Sequence, residues 1–482
     1  MKRSNNHNFC IKSIIVCITL YINIFLCISV KSQSDSLFNY LEIASQNNPL
    51  VLQKFSEYEA ALQKVPLVGS LPDPELNVGV FLSPMELISG NQVADIRLMQ
   101  MFPWFGVLKN AKDEMSLMAN AKLELFRDAK LQVLYEVQRT WYDLYKIQQN
   151  ILISEKNIEI LQTLERLSLV KFKSASAGGI STPSRENISD NSSKNSPTAS
   201  SGMNSMGGNS GNAQSAISNQ QSPMGSSSGG SGLADFYRIQ MELGELNNNI
   251  SLLKSQQNTV VAKFNSLLNR PVKMEISLPE VLKTDTLGTS LLAVSDSMLT
   301  NSPMLGMLQY EQQSLDARKK MVARMGYPMV GLGVNYSLIN KSDMSTSSMN
   351  GKDMIMPMVT VTLPIYRKKY KAMQTESDLM KLASEQGSKA ASNSLQTEYY
   401  EAVQLYEDAG RRMKLYENQS LLAQKSLDII IKSFSASGSG LDDVLRIRQL
   451  MLDYSFKQVQ AVTDYNTAIA WLKRLMAFSQ IL

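Results

Sequence analysis

The sequence predicts a mainly α-helical protein with a small β part, built from two copies of one structural plan. Residues 105–172 and 365–434 carry apolar residues at helical spacing over lengths far beyond an ordinary helix. A pair of short segments with period-two alternation precedes each of them. Features of the first copy return in the second at a constant offset. The order in each copy is helix, strand, strand, long helix and return helix.

The first long helix begins after Phe102-Pro103-Trp104 and meets no proline or glycine after Gly106. Its apolar positions recur at steps of three and four residues, which gives the pattern a coiled-coil bias. They include Leu134, Val137, Trp141, Leu144, Ile151, Ile158 and Leu161. At the fixed rise of an α-helix, roughly 68 residues form a rod on the order of 100 Å long. No globular domain needs such a rod, so the length itself belongs to the function.

Residues 1–32 have the features of a secretory signal peptide, with basic residues before an apolar run at 14–28. Val30-x-Ser32 is a cleavage site that predicts a mature start near Gln33. Two alternatives remain: an uncleaved membrane anchor, and a lipid anchor on Cys27, which its large neighbours disfavour.

All three cysteines and the single histidine lie in this leader, at Cys10, Cys17, Cys27 and His7. The mature chain therefore has no disulfide, no Cys or His nucleophile and no ordinary zinc site. No later apolar run has the length of a membrane-spanning helix. The net charge of +5 is spread thinly and does not indicate nucleic-acid binding. We therefore predict neither an enzyme nor a cofactor.

The first repeat, residues 33–280, has predicted strands at about 74–84 and 92–102. A helix from about residue 35 to 65, interrupted near Pro49, precedes them, and a turn is expected at about 83–91. The long helix 105–172 follows. The Ser/Gly/Asn-rich residues 174–232 cannot bury a core and are predicted to be disordered. The return helix is predicted at 233–268.

The second repeat, residues 281–482, follows the same plan. Asn47-x-Pro49 returns as Asn301-x-Pro303, and Gly79-Val80 returns as Gly333-Val334, both 254 positions later. The predicted elements are a helix at 296–325, strands at about 328–339 and 354–364, the long helix 365–434 and the return helix 441–479. The corresponding linker is only residues 435–440, so residues 174–232 are an insertion at one hairpin tip.

The four strands imply an oligomer. Each is about 9 to 11 residues long, which is the length that crosses a bilayer when the strand is tilted. Four strands cannot close a barrel, and open sheet edges are not tolerated in lipid. Three copies would supply twelve strands, enough for a closed barrel.

These features resemble the outer-membrane factor family, the TolC-type efflux ducts, over nearly all of the mature chain. The junction Phe102-Pro103-Trp104-Phe105-Gly106 and the tips Leu233-x-Asp235 and Gly440-Leu441-Asp442-Asp443-Val444-Leu445 are in the style of that family. The methionine content is the feature that would favour its heavy-metal branch, which exports copper and silver.

The resemblance implies a homotrimer in the outer membrane of a Gram-negative bacterium. A 12-stranded outer-membrane β-barrel would join an α-helical periplasmic barrel. Implied partners are a periplasmic adaptor (membrane fusion protein), an inner-membrane pump of the resistance-nodulation-division type, and outer-membrane lipid. The chain would act as a passive exit duct whose energy comes from the pump.

The resemblance also implies a pore gate at the helical tips. Asp443 falls on an acidic tip position, and Asp235 falls on the matching position of the first copy. A second acid expected one turn beyond Asp443 is Arg446 instead, so either Asp442 substitutes for it or salt links close the gate. The alternative for these acids is N-capping of their helices.

Aromatic residues close to the predicted strand ends suit a membrane interface, with packing at the strand-to-helix junction as the alternative. They are Phe102, Trp104, Tyr327 and Tyr366. Basic residues follow the last strand, where they suit either anionic headgroups or a solvated helix start. They are Arg367, Lys368, Lys369 and Lys371.

Methionine is unusually frequent, with 27 residues, and strand parity places several of them together. If the apolar strand faces meet lipid, six methionines face the lumen: Met99, Met101, Met329, Met354, Met356 and Met358. Thioethers are soft ligands that favour monovalent copper or silver. The alternative is that methionine fills irregular apolar space.

Two other classes of protein compete with the efflux duct. A secreted coiled-coil structural or adhesin-like protein would not need duplicated amphipathic strand pairs beside prolines at matched positions. A secreted enzyme is disfavoured because the mature chain has no His, no Cys and no recognisable Gly-rich catalytic turn.

Overall fold

The computed structural model describes residues 37–177, 231–436 and 440–477. The predicted signal peptide and most of the predicted insertion lie outside these ranges, but residues 174–177 and 231–232, predicted to be disordered, are helical. The first repeat contains α1 Leu37–Asn47, α2 Pro49–Gly69, β1 Glu75–Leu87, β2 Gly90–Phe102, α3 Val107–Ala177 and α4 Ser231–Leu267. The second contains α5 Leu291–Asn301, α6 Pro303–Met325, β3 Met329–Asn340, β4 Met354–Thr362, α7 Arg367–Ser435 and α8 Leu441–Leu475.

The predicted fold class is confirmed: the described chain is mainly helical, with one four-stranded sheet and a duplicated order of elements. The first hairpin differs from the prediction. A turn was expected at about 83–91, but β1 continues to Leu87 and β2 begins at Gly90. The pairing register of β1 and β2 shifts between Val80 and Met85. This irregularity allows the two strands to pair again between the shift and the turn.

A single helix was expected over residues 296–325, but the structure has two. Ser302 lies between α5 and α6, and its hydroxyl accepts from the Leu305 backbone N–H at 3.4 Å. The first repeat has the same break, where Asn48 accepts from the Leu50 N–H at 2.9 Å. In both copies a capping side chain precedes a proline at the first helical position.

The chain divides into two units. Of the described residues, the first unit comprises 37–151, 253–422 and 453–477, and the second comprises 152–177, 231–252, 423–436 and 440–452. The first unit contains the sheet and the short helices. The second contains the ends of the long helices and the starts of the return helices.

Two cores in the first unit reflect the duplication. In one, Tyr40 and Ala44 of α1 pack with Val137 and Trp141 of α3. In the other, Val294 and Met298 of α5 pack with Ala402 of α7 and Leu472 of α8. Residues 294 and 298 correspond to residues 40 and 44 at the same offset of 254. Each short helix therefore buries an equivalent stripe on its own long helix.

The sheet is antiparallel in the order β1-β2-β3-β4, so β1 and β4 form its two edges. Hairpins join β1 to β2 and β3 to β4, and β2 pairs with β3 across the repeats. Gly90 opens β2 with a φ of 124°, a conformation that glycine adopts without steric cost.

None of the described helices combines the length and the apolar character needed to cross a bilayer.

Candidate functional site

One face of the sheet carries all six methionines that strand parity singled out. In an antiparallel ladder, directly opposed residues point to the same face. Met99 is opposite Gly333, and Gly333 is opposite Met358. The same pairing places further residues on this face, which we call the methionine face. They include Met101, Met329, Met354, Met356, Asp95, Arg97, Asn77, Asn335, Ser337 and Thr360. The face therefore combines thioethers with charged and polar side chains.

Glycines on the middle strand leave room for these thioethers. A Cβ atom at Gly333 would lie only 3.4 Å from the Cβ of Met99, and one at Gly331 would overlap the Sδ of Met101. Met99 and Met358 lie on the two strands that flank Gly333, about 10 Å apart at the usual strand spacing. The two methionines thus border a gap that contains no side chain from the strand between them.

The opposite face of the sheet is apolar and exposed. It is formed by Leu76, Val78, Val80, Ala94, Ile96, Leu98, Val330, Leu332, Val334, Ile355, Val359 and Val361. Val80 is 71% exposed, Val359 69% and Ile355 67%. An exposed apolar face of this size marks a surface that contacts protein or lipid.

The predicted interface aromatics lie at one end of the sheet, where Phe102 is opposite Val330 and Met329 is opposite Thr362. The Trp104 ring stacks on Tyr327 with centroids 5.4 Å apart and an interplanar angle of 13°. Tyr366 is 77% exposed just before α7. The structure thus brings Trp104 and Tyr327 together, and it leaves Tyr366 on the surface.

The predicted gate residues all lie in the second unit, and each acid of α8 has a basic neighbour. We call Asp235, Arg238, Asp442, Asp443 and Arg446 the tip cluster. Arg238 forms an ion pair with Asp442 across the two return helices. Arg446 forms one with Asp443 at 3.3 Å within α8. Both pairs are exposed, so each contributes at most about 1 kcal/mol.

Asp235 lies in the same group. Burial raises the pKa of its carboxyl above the ordinary value, and the like charge of Asp442 raises it further. Lys171 and Arg238 act in the opposite direction. Asp442 and Asp443 also occupy the first turn of α8, where negative charge is favourable. Neither acid is the N-cap residue, because α8 begins at Leu441, but their favourable position in the first turn is compatible with the ion pairs.

A buried ion pair in the second unit was not predicted. The side chain of Arg448 is 1% exposed and pairs with Glu242 of α4. Burial lowers the pKa of the Arg448 guanidinium, and Glu242 raises it. A signal existed in the sequence, because Arg448 lies four residues after Val444 on the side of α8 that also buries Leu441. An arginine at an apolar position predicts a buried partner, but it does not predict which one.

Comparisons with known proteins identify the fold. No family model matches the sequence, and no curated protein matches it. Solved structures do match over most of their length. VceC from Vibrio cholerae has a TM-score of 0.65 at 12% identity, with 92% of this chain and 96% of VceC covered. The MtrE outer-membrane channel of Neisseria gonorrhoeae has a TM-score of 0.66 at 13% identity, with 92% of this chain and 89% of MtrE covered. The CmeC outer-membrane channel of Campylobacter jejuni has a TM-score of 0.67 at 12% identity, with 92% of this chain and 85% of CmeC covered. The chain therefore has the fold of these outer-membrane proteins.

Proposed function

We propose that this protein is the passive outer-membrane channel of a tripartite efflux system. The observation that carries the proposal is the four-stranded sheet, which has one exposed apolar face, one polar face and two edge strands. Such a sheet is suited to lipid on one side and water on the other. We therefore assign the chain a role in conduction.

A homotrimer follows from the edges of the sheet. In lipid the backbone groups of β1 and β4 must be paired, because unsatisfied groups there cost several kcal/mol each. Pairing β1 of one copy with β4 of the next closes a ring, and three copies give twelve strands. The apolar face would then contact lipid, and the methionine face would line the lumen.

The location and the partners follow from the same proposal. The barrel would lie in the outer membrane of a Gram-negative bacterium, and the long helices would form a periplasmic tube. A periplasmic adaptor and a pump of the resistance-nodulation-division type would engage the helical ends, where the tip cluster would gate the pore. Support comes from two of the matched structures, MtrE and CmeC, which are outer-membrane channels.

Membrane fractionation and conductance test this proposal. We expect a heat-resistant trimer in detergent extracts of the outer membrane and discrete single-channel currents in planar bilayers. A soluble extracellular monomer without channel activity would instead support the secreted coiled-coil alternative.

We further propose monovalent copper or silver as cargo. The specific observation is that six methionines share one sheet face with charged and polar residues, where Gly331 and Gly333 leave space beside Met99 and Met101. Thioethers are the soft ligands available there, and they prefer these ions. Successive weak sites suit passage, since an ion that binds must also leave. The matched structures favour no particular cargo.

Exchange of all six methionines for leucine tests the cargo, because leucine keeps the apolar volume nearly constant but has no thioether. In a strain that depends on this channel, copper or silver tolerance should fall, while trimers form and organic compounds still pass. The matched control exchanges the exposed helical residues Met241, Met304 and Met380 for leucine and should leave tolerance unchanged. Unchanged metal tolerance in the six-residue variant would reject the metal cargo and leave the channel intact.

A further inference from the structure

A cavity of about 620 Å³ lies where β3 begins and β4 ends. Tyr327, Pro328, Leu363 and Ile365 form its apolar and aromatic wall. Arg367 and Lys371 from the first turns of α7 form its polar wall. The cavity therefore has one side suited to hydrocarbon and one side suited to an anion.

Within the part of the chain that the structure describes, the cations of this cavity have no counter-charge. Arg367 and Lys371 are four positions apart and so lie on the same side of α7. Lys368 and Lys369 lie between them in sequence. Among the described residues, none of these four side chains forms an ion pair. The first acids of α7 are further along, at positions 376 and 378, and both pair with basic residues of α6.

The position of these cations is electrostatically unfavourable. A helix N-terminus carries partial positive charge, so basic residues there repel it. α7 has no acidic residue in its first turn, whereas α8 begins with Asp442 and Asp443. A bound anion would neutralise these side chains and the partial positive charge of the helix start, where the Arg367 and Lys369 N–H groups already donate to backbone carbonyls.

The exposed apolar residues beside the cations narrow the class of anion. Leu363 is 64% exposed, Ile365 70% and Tyr366 77%. A free inorganic anion would gain nothing from these side chains, whereas a phosphate attached to an acyl glycerol would cover them. Basic clusters beside apolar surface are the usual recognition feature for acidic lipids.

We propose that this cavity binds the headgroup of an anionic glycerophospholipid. The phosphate lies against Arg367 and Lys371, and the glycerol and first acyl methylenes lie against Leu363 and Ile365. The inference rests on the proposed function, because the sheet must cross the outer membrane for lipid to reach its end. The site would hold lipid of the periplasmic leaflet at the base of the barrel.

Native mass spectrometry of the full-length trimer, extracted with mixed phosphatidylglycerol and phosphatidylethanolamine, tests the proposal. The wild type should retain phosphatidylglycerol preferentially. Arg367→Gln with Lys371→Gln should reduce that retention roughly tenfold or more, since two cations are lost. The matched control, Lys368→Gln with Lys369→Gln, removes the same charge from residues outside the cavity wall and should have much less effect.

Four results would overturn the lipid site. Equal losses in the two variants would indicate diffuse attraction of lipid to a basic surface. Displacement of the lipid by an equal concentration of inorganic phosphate would indicate a free-anion site. No preference for phosphatidylglycerol would reject lipid selectivity. Protection of Ile365→Cys, which lies in the cavity wall, from maleimide labelling in the lipid-free trimer would show that a second copy fills the cavity. Absence of the chain from the membrane fraction would refute the proposed function itself. A conducting trimer that shows no lipid preference would refute only the lipid site.

Discussion

Arg238 of α4 and Asp442 of α8 form an ion pair that links the two return helices in the second unit. These residues are 204 positions apart in sequence, and one belongs to each repeat. The pair is exposed, so it is weak enough to break and reform. In the proposed channel, such a link between helices is suited to gating.

The first prediction concerns this link. Arg238→Asp and Asp442→Arg should each raise single-channel conductance in planar bilayers, and the double variant should return it towards the wild type. Stability should change by no more than about 1 kcal/mol in each case. Exchanging Asp453 and Lys457 is the matched control, because this ion pair also lies on α8 but outside the tip cluster. If the double variant conducts like either single variant, the Arg238–Asp442 pair does not close the pore.

The second prediction concerns the buried pair of Arg448 and Glu242. Glu242→Gln leaves the guanidinium of Arg448, which is 1% exposed, without a counter-charge and should destabilise the second unit by about 3–5 kcal/mol. Arg448→Met removes the buried charge, and the Glu242 carboxylate that remains is exposed enough to be hydrated. This variant should therefore destabilise the second unit less than Glu242→Gln does. Hydrogen exchange of α4 and α8 measures both. A larger loss in Arg448→Met would show that the arginine contributes mainly through packing.

The third prediction concerns pH. Burial and Asp442 raise the pKa of Asp235 in the folded protein, so the folded state binds its proton at a higher pH than the unfolded chain does. Stability of the tip should therefore rise as the pH falls through this raised pKa, and it should fall as the pH rises through it. Asp235→Asn should stabilise the tip at neutral pH and flatten this dependence. Hydrogen exchange, corrected for intrinsic rates, is the measurement. Destabilisation by Asp235→Asn would instead indicate that attraction to Lys171 and Arg238 outweighs the cost of burying the carboxylate.

The fourth prediction compares two glycines of β3. A Cβ at Gly333 would lie 2.8 Å from the backbone oxygen of Leu98, whereas at Gly331 the obstacle is the flexible end of Met101. Gly333→Ala should therefore destabilise the trimer by roughly 1–3 kcal/mol, and Gly331→Ala should cost less. Thermal dissociation of the trimers on gels ranks the two variants. Equal effects would mean that the β2–β3 backbone can shift to accept a methyl group.

The fifth prediction concerns the insertion of residues 174–232. The second repeat joins its helices with a linker of only residues 435–440. Deletion of residues 180–227 should therefore leave trimers in the outer membrane, because long surface insertions contribute little to folding. Heat-resistant trimers in membrane extracts are the measurement. Loss of the folded trimer would make the insertion a structural element.

Much of the architecture was accessible from local patterns. Period-two alternation fixes which strand residues share a face, so the six methionines could be grouped before the partners of any strand were known. Helical spacing and the constant offset between repeats likewise predicted the long helices and the duplicated order of elements. The helix break at Ser302 was signalled by the match between Asn301-x-Pro303 and Asn47-x-Pro49, although a continuous helix was expected there.

What the sequence determined by itself was therefore periodicity: element types, their order and the composition of each face. Only the tertiary structure decided the partners, namely that Gly333 lies between Met99 and Met358, that Arg238 meets Asp442, and that Arg448 is buried against Glu242. The physical reason is the range of the interactions. A side chain's face depends on the few residues around it, whereas its partner depends on how segments some 200 positions apart align, and a register shift of one residue changes every pair.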